Sequence, residues 1–117
     1  MRHQKKRANK LRSTGSQRRA LMRSLAASLV LHEKIETTVA KAKALRPYAE
    51  KLVTLAGTDS VAARRRADVA LRRKNAVKKL FEVLGPKYKE RPGGYLRIRK
   101  TTRRVGDAAE QAVISFV

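Results

Sequence analysis

The side chains that could do chemistry in this chain are overwhelmingly cationic. Its 117 residues carry 30 lysines and arginines against nine aspartates and glutamates, for a formal net charge of +21. Such a field attracts polyanions and destabilises the compact free protein through self-repulsion. Cysteine is absent, which excludes disulfides, thiolate nucleophiles and thiolate zinc ligands. The composition therefore indicates a nucleic-acid partner and a free protein that becomes rigid in its complex.

The groups needed for catalysis are sparse. Most carboxylates have a lysine or arginine as a sequence neighbour, as Glu33 has Lys34, which favours exposed charge pairing. A nuclease or RNA-modifying enzyme would need at least one convergent carboxylate pair from Asp59, Asp68, Glu82 and Asp107.

The remaining groups that could bind metal or phosphate are isolated. His3 lies in a basic tail, and His32 follows a predicted helix end, where an imidazolium would suit the helix dipole. The pair Gly93-Gly94 lacks the Lys-Ser/Thr of a phosphate-binding loop and is typical of a turn. We expect no catalytic residue, no metal site and no cofactor.

The amino-terminal segment, residues 1–16, has one large apolar side chain, Leu11, among many cations. It cannot bury enough apolar surface to offset the entropy of ordering, so we predict a disordered basic extension that orders on RNA. Residues 17–117 are predicted to form a single domain. An arginine-rich, acid-poor start also occurs in organelle transit peptides, but we expect a cytoplasmic protein. No apolar run approaches the ~20 residues that a membrane span needs.

Hydrophobic periodicity predicts four helices. The first has Ser16 as its N-cap, Asp59 or Ser60 caps the third, Asn75 caps the fourth, and Gly85-Pro86 ends the fourth. Pro47 lies inside the second and predicts either a kink or a junction between two helices. The helices are predicted at 17–31, 38–56, 61–73 and 76–84.

Three short segments predict strands. Residues 35–39 are rich in β-branched side chains, and residues 95–102 alternate apolar and cationic positions. A turn at 105–107 leads to a last strand at 110–117. The predicted fold class is α+β, with a small three-stranded mixed sheet packed against about four helices in the order α-β-α-α-α-β-β.

The cations recur on several elements, which indicates a protein embedded among phosphate strands. Arg18, Arg19 and Arg23 oppose the dipole of the first helix, so they are either partner contacts or part of a solvated polar face. Tyr95 could stack on an unpaired base, or could pack against a neighbouring strand. The third and fourth helices could also form a helix-turn-helix, although the Leu/Phe/Val stripe of the fourth favours core packing.

An ordered set of short motifs resembles the bacterial large-subunit ribosomal protein family numbered seventeen. The motifs are Met1-Arg2-His3, His32-Glu33, Thr37-Thr38, Lys41-Ala42-Lys43, Leu45-Arg46, Leu80-Phe81, Arg91-x-Gly93-Gly94-Tyr95-x-Arg97-Ile98 and Arg104-x-Gly106-Asp107-x-Ala109. The resemblance implies a bacterial, non-catalytic protein of the large subunit that contacts the large rRNA. It also implies an α+β fold with a basic extension, and neighbouring ribosomal proteins as partners on the solvent side of the subunit. Val105 lies within what is often an Arg-Gly-Asp junction, which leaves open whether Arg103 or Arg104 binds phosphate.

We therefore expect a structural rRNA-binding protein that supports subunit assembly and translation. It should recognise RNA backbone and shape rather than base edges. A small DNA-binding or architectural protein is the alternative function. We expect no membrane, no small-molecule substrate and no homo-oligomer. The predicted RNA contacts are Arg2, His3, Lys5, Lys6, Arg7, Lys10, Arg12, Arg18, Arg19, Arg23, Lys41, Lys43, Arg46, Arg64, Arg65, Tyr95, Arg97, Arg99, Arg103 and Arg104.

Overall fold

The first helix, α1, spans Gly15–His32 and begins two residues earlier than Ser16 would predict. The computed structural model describes residues 14–117. Thr14 is the N-cap, because its hydroxyl accepts from the Gln17 amide at 3.2 Å and the Gln17 side chain accepts from the Thr14 amide at 3.2 Å. This reciprocal capping box satisfies two donors at once, which a Ser16 cap would not. Glu33, in the left-handed region at φ 62°, ends the helix.

Helix α2 spans Val39–Leu55, with the Thr38 side chain capping it through the Lys41 amide. It runs through Pro47 as one helix, so the alternative of two helices meeting there is wrong. Its buried positions recur at helical spacing and are Val39, Ala42, Leu45, Ala49, Leu52 and Val53. This stripe lies under the sheet and against α1, which makes α2 the central support of the fold.

Helix α3, Val61–Leu71, is capped by Ser60 as predicted. Helix α4, Lys74–Lys79, begins before Asn75, so the predicted Asn75 cap is wrong. The chain continues from α4 through a π-helical segment, Leu80–Leu84, into a short helix α5, Gly85–Lys87. The predicted stop at Gly85-Pro86 is therefore wrong, since proline is tolerated in the first turn of a helix, where its missing N–H costs nothing.

Three strands form the sheet, β1 at Lys34–Thr38, β2 at Leu96–Lys100 and β3 at Gln111–Phe116. Their order is β1-β3-β2, and both pairings are antiparallel. The sheet is thus antiparallel rather than mixed. The chain returns from β2 through a hairpin, and β3 then lies between β1 and β2, running against both.

The core joins all three strands to the helices, which confirms the predicted α+β class. Tyr88 anchors one end of it: its ring lies 5.4 Å from that of Tyr95 and 6.0 Å from that of Phe116, and its hydroxyl donates to the Val117 carbonyl. Side chains with less than 2% exposure include Leu29, Val30, Leu45, Leu71, Leu80, Leu84 and Ile114. The division into an extension at 1–16 and a domain at 17–117 stays a prediction, because most of that extension lies outside the described residues.

Candidate nucleic-acid interface

The predicted RNA-binding cations fall into two groups, according to whether a carboxylate already holds them. Within residues 14–117, ion pairs engage Arg64, Arg103 and Arg104, and Arg46 approaches Glu50 at 3.9 Å. A guanidinium bound to a carboxylate keeps N–H donors on its other edge, but the carboxylate offsets its charge and repels a phosphate. Pairing therefore lowers the contribution that such a cation makes to RNA binding.

Arg64 is held by a carboxylate and by an aromatic ring. Its Nε and Nη2 donate to the two carboxylate oxygens of Asp59 at 2.6 and 2.9 Å, and its guanidinium carbon lies 5.0 Å from the Phe81 ring centroid. Hydrogen bonding by Arg64 lowers the pKa of the Asp59 carboxyl. The guanidinium stabilises the turn before α3 and covers a core aromatic ring, which argues against the phosphate contact predicted for Arg64.

Arg103 and Arg104 are held within the loop that joins β2 to β3. Arg104 Nε and Nη2 donate to Asp107 at 3.1 and 2.5 Å, and hydrogen bonding by Arg104 lowers the pKa of Asp107 to about 2. Arg103 donates to Glu110 and to the Ala108 carbonyl, each at 3.3 Å. Both guanidiniums hold the loop together, so the structure favours neither Arg103 nor Arg104 as the phosphate ligand.

The other predicted cations of the described region have no carboxylate within ion-pair distance, with Arg18 set aside because it has an interaction of its own. They lie on α1, on α2, on α3 and on the outer face of the sheet. Exposed or half-exposed, they can approach a phosphate without breaking an existing pair. These residues are Arg19, Arg23, Lys41, Lys43, Arg65, Arg97 and Arg99.

Arg97 and Arg99 lie on the face of the sheet opposite the core. The register pairs both Arg97 and Lys34 with Ser115 from opposite sides, so the two cations share one row. Strand spacing puts their Cα atoms about 10 Å apart. Arg99 lies in the next row, which it shares with Glu36 across Val113. The Glu36 carboxylate accepts from the Thr101 hydroxyl at 3.2 Å and forms no ion pair with Arg99. We call Lys34, Arg97 and Arg99 the basic sheet face. Sequence reasoning missed Lys34 as a contact, although its alternation with Ile35 along β1 could have placed it there.

A second basic surface is the cleft between the start of α1 and α2. It has a volume of 300 Å³ and is lined by Gly15, Arg18, Arg19, Met22, Ala44 and Tyr48. Its lining begins at Gly15, so its cations follow those of the amino-terminal segment in the sequence. We call it the α1–α2 cleft. It is concave, basic and partly aromatic, as RNA-binding surfaces are.

The aromatic ring of this cleft belongs to Tyr48, a residue that sequence reasoning passed over. Its hydroxyl donates to the Ala70 carbonyl at 2.8 Å, and burial raises the pKa of the phenol. Tyr95, by contrast, is 4% exposed, and its hydroxyl donates to the Arg91 carbonyl at 3.0 Å. Of the two roles that the sequence left open for Tyr95, this burial supports packing and argues against base stacking.

The competing interpretations find little geometry in their favour. Helix α4 has six residues, two of them buried, and its Lys79 binds Glu33 at 2.9 Å, so it does not present a recognition helix. Within residues 14–117, no three His, Cys, Asp or Glu side chains lie close enough to hold a metal, and no helix is both long and apolar enough to cross a membrane. Of the carboxylates that an enzyme would need, Asp59 and Asp107 are bound by arginines.

Seven predicted contacts lie outside the described residues. They are Arg2, His3, Lys5, Lys6, Arg7, Lys10 and Arg12. They stay predictions that rest on the composition of the segment alone.

Comparison with known proteins gives one consistent result. Residues 21–117 match the family model of ribosomal protein L17. Two relatives, each called large ribosomal subunit protein bL17, come from Rickettsia bellii strains OSU 85-389 and RML369-C. Each is 51% identical to this chain over 117 residues, which is 100% of this chain and 82% of the relative.

Proposed function

Because the chain belongs to the ribosomal protein L17 family, we propose that the cations left free by the fold hold it on rRNA in the large ribosomal subunit. Proteins of this family are structural constituents of the large subunit rather than enzymes. As one of them, this chain works in the cytoplasm, within the ribosome. What we add is which surfaces meet the RNA and how.

The proposal rests on one observation: some cations of the described region form ion pairs with carboxylates, and others do not. With Arg18 set aside, the cations of the basic sheet face and Arg19 of the α1–α2 cleft have no carboxylate within ion-pair distance. Each phosphate that they neutralise releases condensed counterions, which is the main source of affinity in such complexes. Cations that are already paired release few, because their charge is balanced before RNA arrives.

The two surfaces differ in what they can read. The sheet face presents Lys34 and Arg97 in one row and Arg99 in the next, which suits the phosphates of a backbone that passes across the strands. The α1–α2 cleft is concave and is lined in part by Tyr48, which suits an unpaired nucleotide or a ribose. Together with the amino-terminal segment, they would bind rRNA by shape and charge and support its folding during assembly.

Competition between nucleic acids tests this function. The full-length chain is bound to large-subunit rRNA and challenged at equal salt with duplex DNA of equal phosphate concentration. We expect DNA to compete at least about tenfold less well, because a folded RNA offers phosphates on several sides of the protein at once. Equal competition would favour the alternative of a DNA-binding protein and would contradict the proposal.

A further inference from the structure

The loop between β2 and β3, residues 101–110, places an apolar side chain at its tip. Val105 is 98% exposed, more than any other large hydrophobic side chain of the described region. Isolated exposed valines are common on protein surfaces and need no explanation by themselves. What distinguishes Val105 is the construction of the loop that presents it.

The loop is braced on both sides of its tip. The Arg104 amide donates to the Ala109 carbonyl at 2.8 Å, and the Ala108 amide donates to the Arg104 carbonyl at 3.0 Å. Asp107 accepts from both the Arg104 guanidinium and the Ala109 amide. Gly106, at φ 108°, makes the sharp turn that leaves Val105 pointing outward. A loop fixed in this way loses little entropy when it binds.

The charges of the loop cancel one another. Arg104 is paired with Asp107, and Arg103 with Glu110, so the two cations are balanced by two carboxylates. The two carboxylates would repel a phosphate and already offset the charge of both guanidiniums. The tip is thus neutral and apolar on a molecule with a formal charge of +21, which makes it a poor contact for RNA.

More apolar surface adjoins the base of the loop. An open cleft of 620 Å³ lies between the loop and the start of α2. Val39, Ala40, Ala108 and Ala109 line it together with Thr38, Lys43, Arg103 and Glu110. Valine and alanine side chains offer neither hydrogen bonds nor stacking to a nucleotide, but they do favour burial against apolar side chains. The tip and the apolar part of this cleft together form a contact area edged by Lys43 and by the paired Arg103 and Glu110.

From this arrangement we infer that the 101–110 loop is a protein-docking knob, with Val105 seated in an apolar socket on a neighbouring protein of the large subunit. This inference rests on the proposed place of the chain in that subunit, and it assigns this loop to a protein contact rather than to rRNA. The partner protein should present apolar side chains where it contacts Val105. It needs no charged side chains to bind the loop, since the charges of the loop offset one another.

Site-specific photocrosslinking in purified large subunits that contain the full chain tests the inference. Benzoylphenylalanine is placed at position 105 in one variant and at position 97, on the basic sheet face, in another. We expect position 105 to crosslink to a ribosomal protein at an apolar surface, identified by mass spectrometry. Crosslinking of position 105 to rRNA or to a second copy of this chain would overturn the inference, as would no crosslink at all.

The variant at position 97 separates this inference from the proposed function. Position 97 should crosslink to rRNA, and its failure to do so would count against the RNA-binding surface while leaving the result at position 105 intact. A second measurement mixes wild-type and variant chains in equal amounts during subunit reconstitution. Val105→Asp should be depleted about tenfold because its carboxylate cannot enter an apolar socket, whereas Val105→Ile should incorporate within about twofold of wild type. Equal incorporation of all three would contradict the docking role.

Discussion

Removing the two arginines of the basic sheet face should weaken rRNA binding far more than removing the two arginines of the hairpin loop. The first variant is Arg97→Gln with Arg99→Gln, and the second is Arg103→Gln with Arg104→Gln. Both lower the net charge by two, so they are matched in total charge. They differ in whether the removed cation was free or held by a carboxylate.

The size of the effect follows from counterion release. Each phosphate that the protein neutralises contributes about 0.7 to 0.9 to the slope of log K against log salt, so removing two such cations lowers the slope by roughly 1.4 to 1.8. If the variant and the wild type bind alike at about 1 M salt, the sheet-face variant should bind about 40-fold more weakly than wild type at about 0.1 M salt. The loop variant should show little change in slope, because its arginines are neutralised before RNA arrives. Their more distant influence is screened over a Debye length of about 10 Å.

The assay is equilibrium binding of the full chain to large-subunit rRNA over a series of salt concentrations. Thermal melting serves as the folding control, and the sheet-face variant should stay within about 0.5 kcal/mol of wild type because both side chains are exposed. Equal slopes for the two variants would show that net charge alone governs binding, and would refute the distinction between free and paired cations.

Three further predictions concern the amino-terminal segment, an ion pair and a glycine. Deleting residues 1–13 spares the N-cap of α1 and should lower the slope of log K against log salt by roughly 0.7 to 0.9 for each phosphate that the segment neutralises. An unchanged slope would contradict a role for this segment in RNA binding. Lys79 donates to the Glu33 carboxylate and lowers its pKa, so the pair stabilises the fold at pH values above the ordinary glutamate pKa of 4.5 and loses this effect as the pH falls below it. Lys79→Met should therefore lower the free energy of unfolding by about 0.5–1 kcal/mol near pH 7, as measured by urea unfolding. In acid the difference between variant and wild type should shrink. A Cβ at Gly85 would lie 2.4 Å from the carbonyl oxygen of Ala56 at the end of α2, so Gly85→Ala should lower the stability by about 1–3 kcal/mol in thermal melting. Gly15→Ala is the matched control and should be neutral, because a Cβ there would meet only a flexible side chain at 3.4 Å. Equal melting temperatures for the two variants would show that the packing at Gly85 is not tight.

The helices and strands of this fold could be predicted from the spacing of apolar residues in the sequence. The residues at which the helices begin and end could not. Helical spacing of apolar side chains placed α1 to α4, because those stripes are what the core buries. The predicted caps at Ser16 and Asn75 failed because both helices begin two residues earlier than predicted. Thr14 caps α1 through a capping box, and α4 follows Arg73, whose side chain makes no cap hydrogen bond. Gly85-Pro86 looks like a stop signal, yet the chain turns once more there, since the missing Cβ of Gly85 allows close approach to α2.

The candidate site was harder to predict, because availability of a cation is a tertiary property. Composition identified the partner class, and the alternation along β2 placed Arg97 and Arg99 on one face. No local rule shows that Arg64 is bound by Asp59 and stacked on Phe81, nor that Lys79 reaches Glu33 across the fold. Tyr95 and Tyr48 illustrate the same limit, since both are aromatic neighbours of cations and only packing distinguishes the buried ring from the one in the cleft.

Sedimentation shows whether this chain is held in the large subunit by its basic surfaces. The full-length chain, tagged at a position outside the two basic surfaces, is expressed in a bacterium, and its lysate is separated on sucrose gradients at low and high salt. The chain should travel with the large subunit in low salt, and the Arg97→Gln, Arg99→Gln variant should leave it at a lower salt concentration than wild type. A wild-type chain that stays at the top of the gradient in low salt, or that travels with nucleoid DNA, would contradict the account.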